Sequence, residues 1–159
     1  MAVLTPEYLA RSGTEHGEQA ALFCWANKAM WFGFAVADDP RSYERGALVW
    51  SGEPVLPVLK WLFAIPNGGG RSAAQGGMLK AEGVKPGVSD ICLPVVQYGE
   101  NGHPRFTGLY IEMKRAKGVT SDVKPEQEEF IKFVREQGYR AEVCFGWRQA
   151  ADIIKEYLS

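Results

Sequence analysis

Asp90, Glu112 and Lys114 are the residues of this chain best placed to do chemistry together. They lie in two short runs, Pro86-Gly87-Val88-Ser89-Asp90 and Ile111-Glu112-Met113-Lys114. In a strand, side chains alternate faces, so Glu112 and Lys114 project to one side and Met113 to the other. Between the two runs lies Tyr98-Gly99-Glu100-Asn101-Gly102-His103-Pro104, a stretch of turn formers. A hairpin folded near Asn101-Gly102 brings Glu112 beside Asp90 on the neighbouring strand. Two carboxylates and an ammonium then share one patch of sheet, a set able to hold a divalent cation and a phosphate. Mg²⁺ takes hard oxygen ligands, one or two carboxylates completed by water and substrate phosphate. A cation so held lowers the pKa of bound water and offsets charge on a phosphoryl group, and a lysine adds a compact positive charge. The alternative reading of so short a pattern is a turn aspartate and an exposed ion pair on a strand.

Two helices are expected to flank this patch. Ser12 or Thr14 serves as N-cap for a helix from 15 to about 30, in which Glu18, Leu22, Ala26 and Ala29 recur at helical spacing. Glu18 thus ends the core-facing stripe, where a carboxylate is costly unless paired or bound to a cation. The competing reading is a first-turn glutamate favoured by the helix dipole. Glu15 is accounted for by a Ser12-x-x-Glu15 capping box. Further on, Pro125 marks a helix start, and Gln127, Phe130, Ile131 and Val134 share its inward face. Gln127 therefore needs a polar partner. Gly138 ends that helix, Tyr139–Phe145 follows as a strand, and Arg148–Leu158 as a final amphipathic helix.

The runs Phe63-Ala64-Ile65-Pro66-Asn67-Gly68-Gly69, Leu79 to Asp90, Gly108 to Arg115, Ser121 to Gln127 and Gln137 to Ala141 resemble the VRR-NUC (virus-type replication-repair nuclease) family, of the PD-(D/E)xK superfamily. The likeness spans about residues 14–30 and 61–158. It implies a single domain over 1–159 with a restriction-endonuclease-like α/β core, a central mixed β-sheet flanked by α-helices, and an insertion at 31–60. It implies catalytic Asp90, Glu112 and Lys114. It also implies Mg²⁺ or Mn²⁺ held by Asp90, Glu112, the Met113 carbonyl and Glu18, with Gln127 orienting Lys114. The expected activity is metal-dependent, structure-selective cleavage of branched DNA in the manner of a Holliday-junction resolvase, by a homodimer. Alternatives are a flap, nicking or restriction-type nuclease, or a non-catalytic DNA-binding module on a degenerate nuclease fold.

Composition is consistent with such a domain. With 159 residues, 46% of them apolar, the chain can build one good core. A net charge of −1 gives no global sign of a nucleic-acid binder, so DNA contacts must be local. Arg115, Lys117 and Lys124 cluster near the patch, with Arg71, Lys80 and Lys85 as additions; as a charge run alone they read equally as a solvated face. Trp31, Phe32, Phe34 and Trp50 stand among prolines and glycines, a loop packed on the core, a dimer contact or a stacking surface for unpaired bases, the first two favoured. Cys24, Cys92 and Cys144 lack CxxC spacing and suit a reducing compartment. The N-terminus lacks the basic and apolar regions of a signal peptide, and Asn27 and Lys28 interrupt the apolar run 20–37. Location in bacterial or phage-infected host cytoplasm, with no membrane partner, is the expectation.

Overall fold

The computed structural model describes residues 4–44, 52–66 and 73–159. Trp50, the glycines at 68–70 and Arg71 fall outside these residues. The described chain forms two compact units interleaved in sequence: Met1–Leu62 with Met113–Gly118 and Val143–Ser159, and Phe63–Glu112 with Val119–Glu142.

The first unit is helical. A short helix α1 (Pro6–Ala10), unexpected from the sequence, is capped by Thr5, whose side chain accepts from the Tyr8 N–H. Helix α2 (Glu15–Phe32) starts at Thr14, which accepts from the Gly17 N–H at 3.1 Å. The Ser12–Glu15 capping box is not what forms: with Thr14 as N-cap, Glu15 is the first helical residue, and the Ser12 hydroxyl bonds Thr14 instead. The apolar stripe packs as its spacing requires, with Leu22, Ala26 and Ala29 buried together with Ala21 and Trp25. Gly33 then turns the chain at φ 86 into α3 (Phe34–Ala37). Phe34 stacks on Trp25 at 5.7 Å, so this part of segment 31–60 is core packing. Helix α6 (Trp147–Leu158) packs against α2 and buries Trp147, Ala150, Ala151, Ile154 and Tyr157. Among the described residues no helix is long and apolar enough to cross a membrane.

The second unit holds the start of the main sheet. Its strands are β1 (Phe63–Ala64), β2 (Ile91–Leu93), β5 (Leu109–Lys114) and β6 (Arg140–Phe145), ordered β1-β2-β5-β6. The first two pairings are antiparallel. The Arg140 N–H donates to the Gly108 carbonyl and the Gly146 N–H to that of Lys114, the same offset at both ends, so β6 runs parallel to β5. The sheet is mixed and helix-flanked, an α/β fold of the kind expected. The turn formers do fold near Asn101-Gly102, but into a separate two-stranded hairpin, β3 (Gln97–Tyr98) with β4 (Pro104–Phe106). Helix α4 (Ala73–Ala81) precedes β2. Helix α5 (Pro125–Glu136) begins with proline at its first position and buries Ile131 and Val134. Gly138, at φ 87, ends it.

Candidate active site

Strand β5 is buried along nearly its whole length, including the two charged positions: Glu112 is 1% exposed and Lys114 3%. The exposed-ion-pair reading therefore does not hold. A carboxylate or ammonium out of water is tolerated only where other groups satisfy it.

In the second unit, the β2–β5 register pairs Ile91 with Ile111. Carried one residue further, it places Asp90 opposite Glu112, as the turn at Asn101-Gly102 predicted. Glu112 Oε1 accepts a hydrogen bond from Gln127 Nε2 at 2.5 Å, while Gln127 Oε1 accepts from the Lys124 N–H at 2.9 Å. Both ends of the Gln127 amide are thereby held, one by its own helix terminus and one by the strand. The resemblance implies that Gln127 orients Lys114; the hydrogen bond described here is to Glu112, two residues earlier on the same strand. The geometry of α5 on β5 accounts for this. Phe130 meets Tyr110 edge-on at 5.3 Å, and one helical turn back Gln127 meets Glu112, so the helix runs antiparallel to the strand. The loop leading to Asp90 is docked on the same helix end. Gly87, at φ 85, lies so close to the Glu126 carbonyl that any Cβ there would collide with it.

In the first unit, Lys114 Nζ lies 3.7 Å from Glu15 Oε1; the lysine side chain is 4% exposed and the glutamate's 53%. At that length the contact is a charge pair rather than a tight hydrogen bond. Glu18, 3% exposed, accepts from the Trp147 backbone N–H at 2.9 Å. It therefore caps α6, whose N-cap residue Gly146 has no side chain to do so. A buried carboxylate at a helix N-terminus contributes up to about 2 kcal/mol. The periodicity placed Glu18 inward correctly but gave no hint of this partner, far away in sequence.

The donor set suits a hard divalent cation. Among the described residues no three His, Cys, Asp or Glu side chains form a group able to hold a metal. What the β2–β5 register brings together is the carboxylates of Asp90 and Glu112, a sparse oxygen set of the kind Mg²⁺ completes with water and substrate.

Of the expected DNA-facing cations, Lys80, Lys85, Arg115, Lys117 and Lys124 are all exposed. Cys92 and Cys144 are buried free thiols, as expected, and burial pushes the Cys92 thiol up from its ordinary value of 9.0. Cys24 is half-buried and likewise raised by desolvation. The β2–β5 neighbour of Cys92, Tyr110, is raised for the same reason.

Comparison with curated proteins gives no match. A solved structure described as a VRR_NUC domain protein is similar at a TM-score of 0.60 and 20% identity, over 91% of this chain and 88% of that one, which speaks to the fold. The VRR-NUC domain model matches residues 64–147, the span from β1 through Asp90, Glu112, Lys114 and Gln127 to the first residue of α6. That span is more than half of the chain, and the protein belongs to the VRR-NUC family, whose domain is of nuclease type.

Proposed function

We propose that this protein is a metal-dependent endonuclease that hydrolyses phosphodiester bonds in branched DNA. The observation that carries this reading is the arrangement on β5. Glu112, buried and held by Gln127, stands in register opposite Asp90, with Lys114 two residues further along the same strand. Asp90, Glu112 and the Met113 carbonyl would hold Mg²⁺ or Mn²⁺. When bound, the cation would lower the pKa of a ligand water and offset charge on the scissile phosphate. The resemblance adds Glu18 to that shell; its carboxylate is engaged by Trp147, and the shell proposed here is built without it.

Each protein group then has one task. Gln127 fixes the Glu112 carboxylate against rotation, so that the ligand oxygen is set before substrate arrives. Lys114 supplies positive charge at the phosphate and orients the attacking water. Exposed Lys80, Lys85, Arg115, Lys117 and Lys124 would contact the DNA backbone, where lysine and arginine supply sequence-independent affinity; Arg71 belongs to the same proposal. A four-way junction carries two scissile phosphates related by symmetry, and a domain with one site needs a two-fold dimer to cut both.

The test is a panel of labelled linear, flap and four-way DNAs incubated with the protein, with and without Mn²⁺. Metal-dependent cutting of the four-way substrate, lost in Asp90→Asn, is the expected result. Preference for flaps or ends would make it a nuclease of another polarity. Binding without any cutting would leave a DNA-binding module on a nuclease fold.

A further inference from the structure

We infer that Phe63, on strand β1, is a specificity residue of the same site, its ring stacking on an unpaired DNA base beside the scissile phosphate. The inference rests on the nuclease reading above, in which Asp90 and Glu112 hold the cation. The register of the sheet carries it, all within the second unit. In an antiparallel ladder, directly opposed residues point to the same face. Phe63 opposes Cys92, and Cys92 opposes Tyr110, so these three form one row across β1, β2 and β5. Two residues along each strand lies the next row on that face, Ile65, Asp90 and Glu112. The Ile65 N–H donates to the Asp90 carbonyl at 2.6 Å, which carries the β1–β2 pairing as far as Asp90. The row that Phe63 begins therefore borders the acidic pair. Its inner members are covered: Cys92 is 5% exposed, and Tyr110 has Phe130 and Tyr139 each at 5.3 Å. Its outer member is open, since Phe63 is 47% exposed on the strand that ends the sheet order.

The diagonal step from Phe63 to Asp90 in such a ladder is about 7–8 Å, within reach of an aromatic side chain. A phosphate held at the acidic pair thus leaves the base of the same or the adjoining nucleotide close to the ring. Inside a duplex, both faces of that base are taken by its neighbours. At a branch point or flap a face is open, and every base offers one to an aromatic ring without regard to sequence. Phenylalanine has no donor or acceptor with which to read a base edge. It therefore answers to whether a base is unstacked, and not to which base it is. A ring so placed selects structure at the nucleotide being cut, where an exposed cation adds only to overall affinity.

Cleavage of linear, flap and four-way DNAs is measured for Phe63→Leu and Phe63→Trp, with Phe133→Leu, another exposed phenylalanine, as control. Phe63→Leu should raise KM for the flap and four-way DNAs by on the order of tenfold. Affinity for linear duplex and the metal requirement should stay where they were, and Phe63→Trp and Phe133→Leu should behave as wild type. Equal effects on linear and branched DNA, or no effect, overturn the inference. So does a Phe63→Leu protein whose mass by light scattering is half that of wild type, since β1 would then be a face between copies. A second measurement needs neither turnover nor a change at Phe63. With 5-iododeoxyuridine at the nucleotides flanking the branch point, the Asp90→Asn protein is irradiated on uncut DNA, and a crosslink forms with an aromatic ring stacked on the iodouracil. The adduct should map by mass to the peptide carrying Phe63; adducts only elsewhere, or none, overturn the contact. A protein that cuts none of the DNAs yet crosslinks through Phe63 would sink the nuclease reading and leave the stacking contact standing.

Discussion

Removing a charge from a buried strand position differs from removing it at the surface, and Glu112, 1% exposed with Gln127 Nε2 against it, belongs to the first kind. Glu112→Gln keeps the shape and an acceptor for Gln127, so the fold is expected to persist while cleavage is lost. Glu112→Ala instead strands the Gln127 amide and opens a cavity, costing about 1–3 kcal/mol of stability from the unpaired polar group alone. Circular dichroism melts beside the cleavage assay check both. Gln127→Met should leave binding of the four-way DNA intact and lower kcat, because it frees the carboxylate it now holds; an unchanged kcat would show that Glu112 needs no such support. At this scale the sequence was legible in kind but not in pairing. The spacing puts Gln127 on the inward face of its helix, while its contact with Glu112 depends on the direction in which α5 crosses β5, which side-chain periodicity does not encode. For Glu15, a one-step choice between Ser12 and Thr14 as N-cap decides the role: with Ser12 it is a cap partner, with Thr14 it is free to face Lys114.

Among the elements, the turn before β2 and the first turn of α5 behave as one piece, joined where Gly87 meets the Glu126 carbonyl. Gly87→Ala would have to hold an L side chain at φ 85 and also push that carbonyl away. A destabilisation of about 1–3 kcal/mol is expected from the backbone strain. Because Asp90 and Gln127 sit at the two ends of the contact, the rate should fall by more than the loss of folded protein explains. Chemical denaturation followed by cleavage at a temperature where the variant is fully folded measures the two effects separately. Pro86-Gly87 was readable as a turn from its residue types, whereas the close approach that makes glycine obligatory there was not. It exists only once α5 is packed. The longer elements were the more legible ones: α2, α5 and α6 bury the residues their spacing nominates, since a stripe of apolar side chains has one way to leave water. The short α1 is not legible in the sequence, because five residues carry too little periodicity.

For the whole molecule, two thiols, two phenols and Lys155 make one collective statement about alkaline pH. Burial raises the thiols of Cys24 and Cys92 above 9.0 and the phenols of Tyr43 and Tyr110 above 10.0. For Lys155, burial works downward, but hydrogen bonds to Asp152 and Asp38 outweigh it and raise the group above 10.5. In every case the folded protein holds its proton more tightly than the unfolded chain. The resulting stability is complete below the ordinary values and is lost as pH rises through the raised ones. Urea midpoints should therefore hold level up to about pH 9 and decline above it, and replacing Cys24 and Cys92 with alanine should delay the onset. A net charge of −1 implies that DNA affinity depends on few cations. Lys117→Ala and Lys124→Ala should each lower the slope of log affinity against log salt by about 1. Light scattering gives the oligomeric state: a mass of 17.6 kDa, unchanged by junction DNA, would leave a monomer and remove the two-site mechanism.

The β3–β4 turn also bears on how the protein ages. An asparagine followed by glycine is the pair most prone to deamidate, because the unhindered amide nitrogen of the glycine attacks the side-chain carbonyl and expels ammonia. In this turn the attacking nitrogen is occupied, since the Gly102 N–H donates to the Gly99 carbonyl at 2.9 Å. The Asn101 carbonyl oxygen is itself held by the His103 N–H at 3.1 Å. The hairpin thus guards its own weakest bond. In stored folded protein the peptide carrying Asn101 should stay unmodified by mass, while in denaturant it should gain the mass and charge of a new carboxylate.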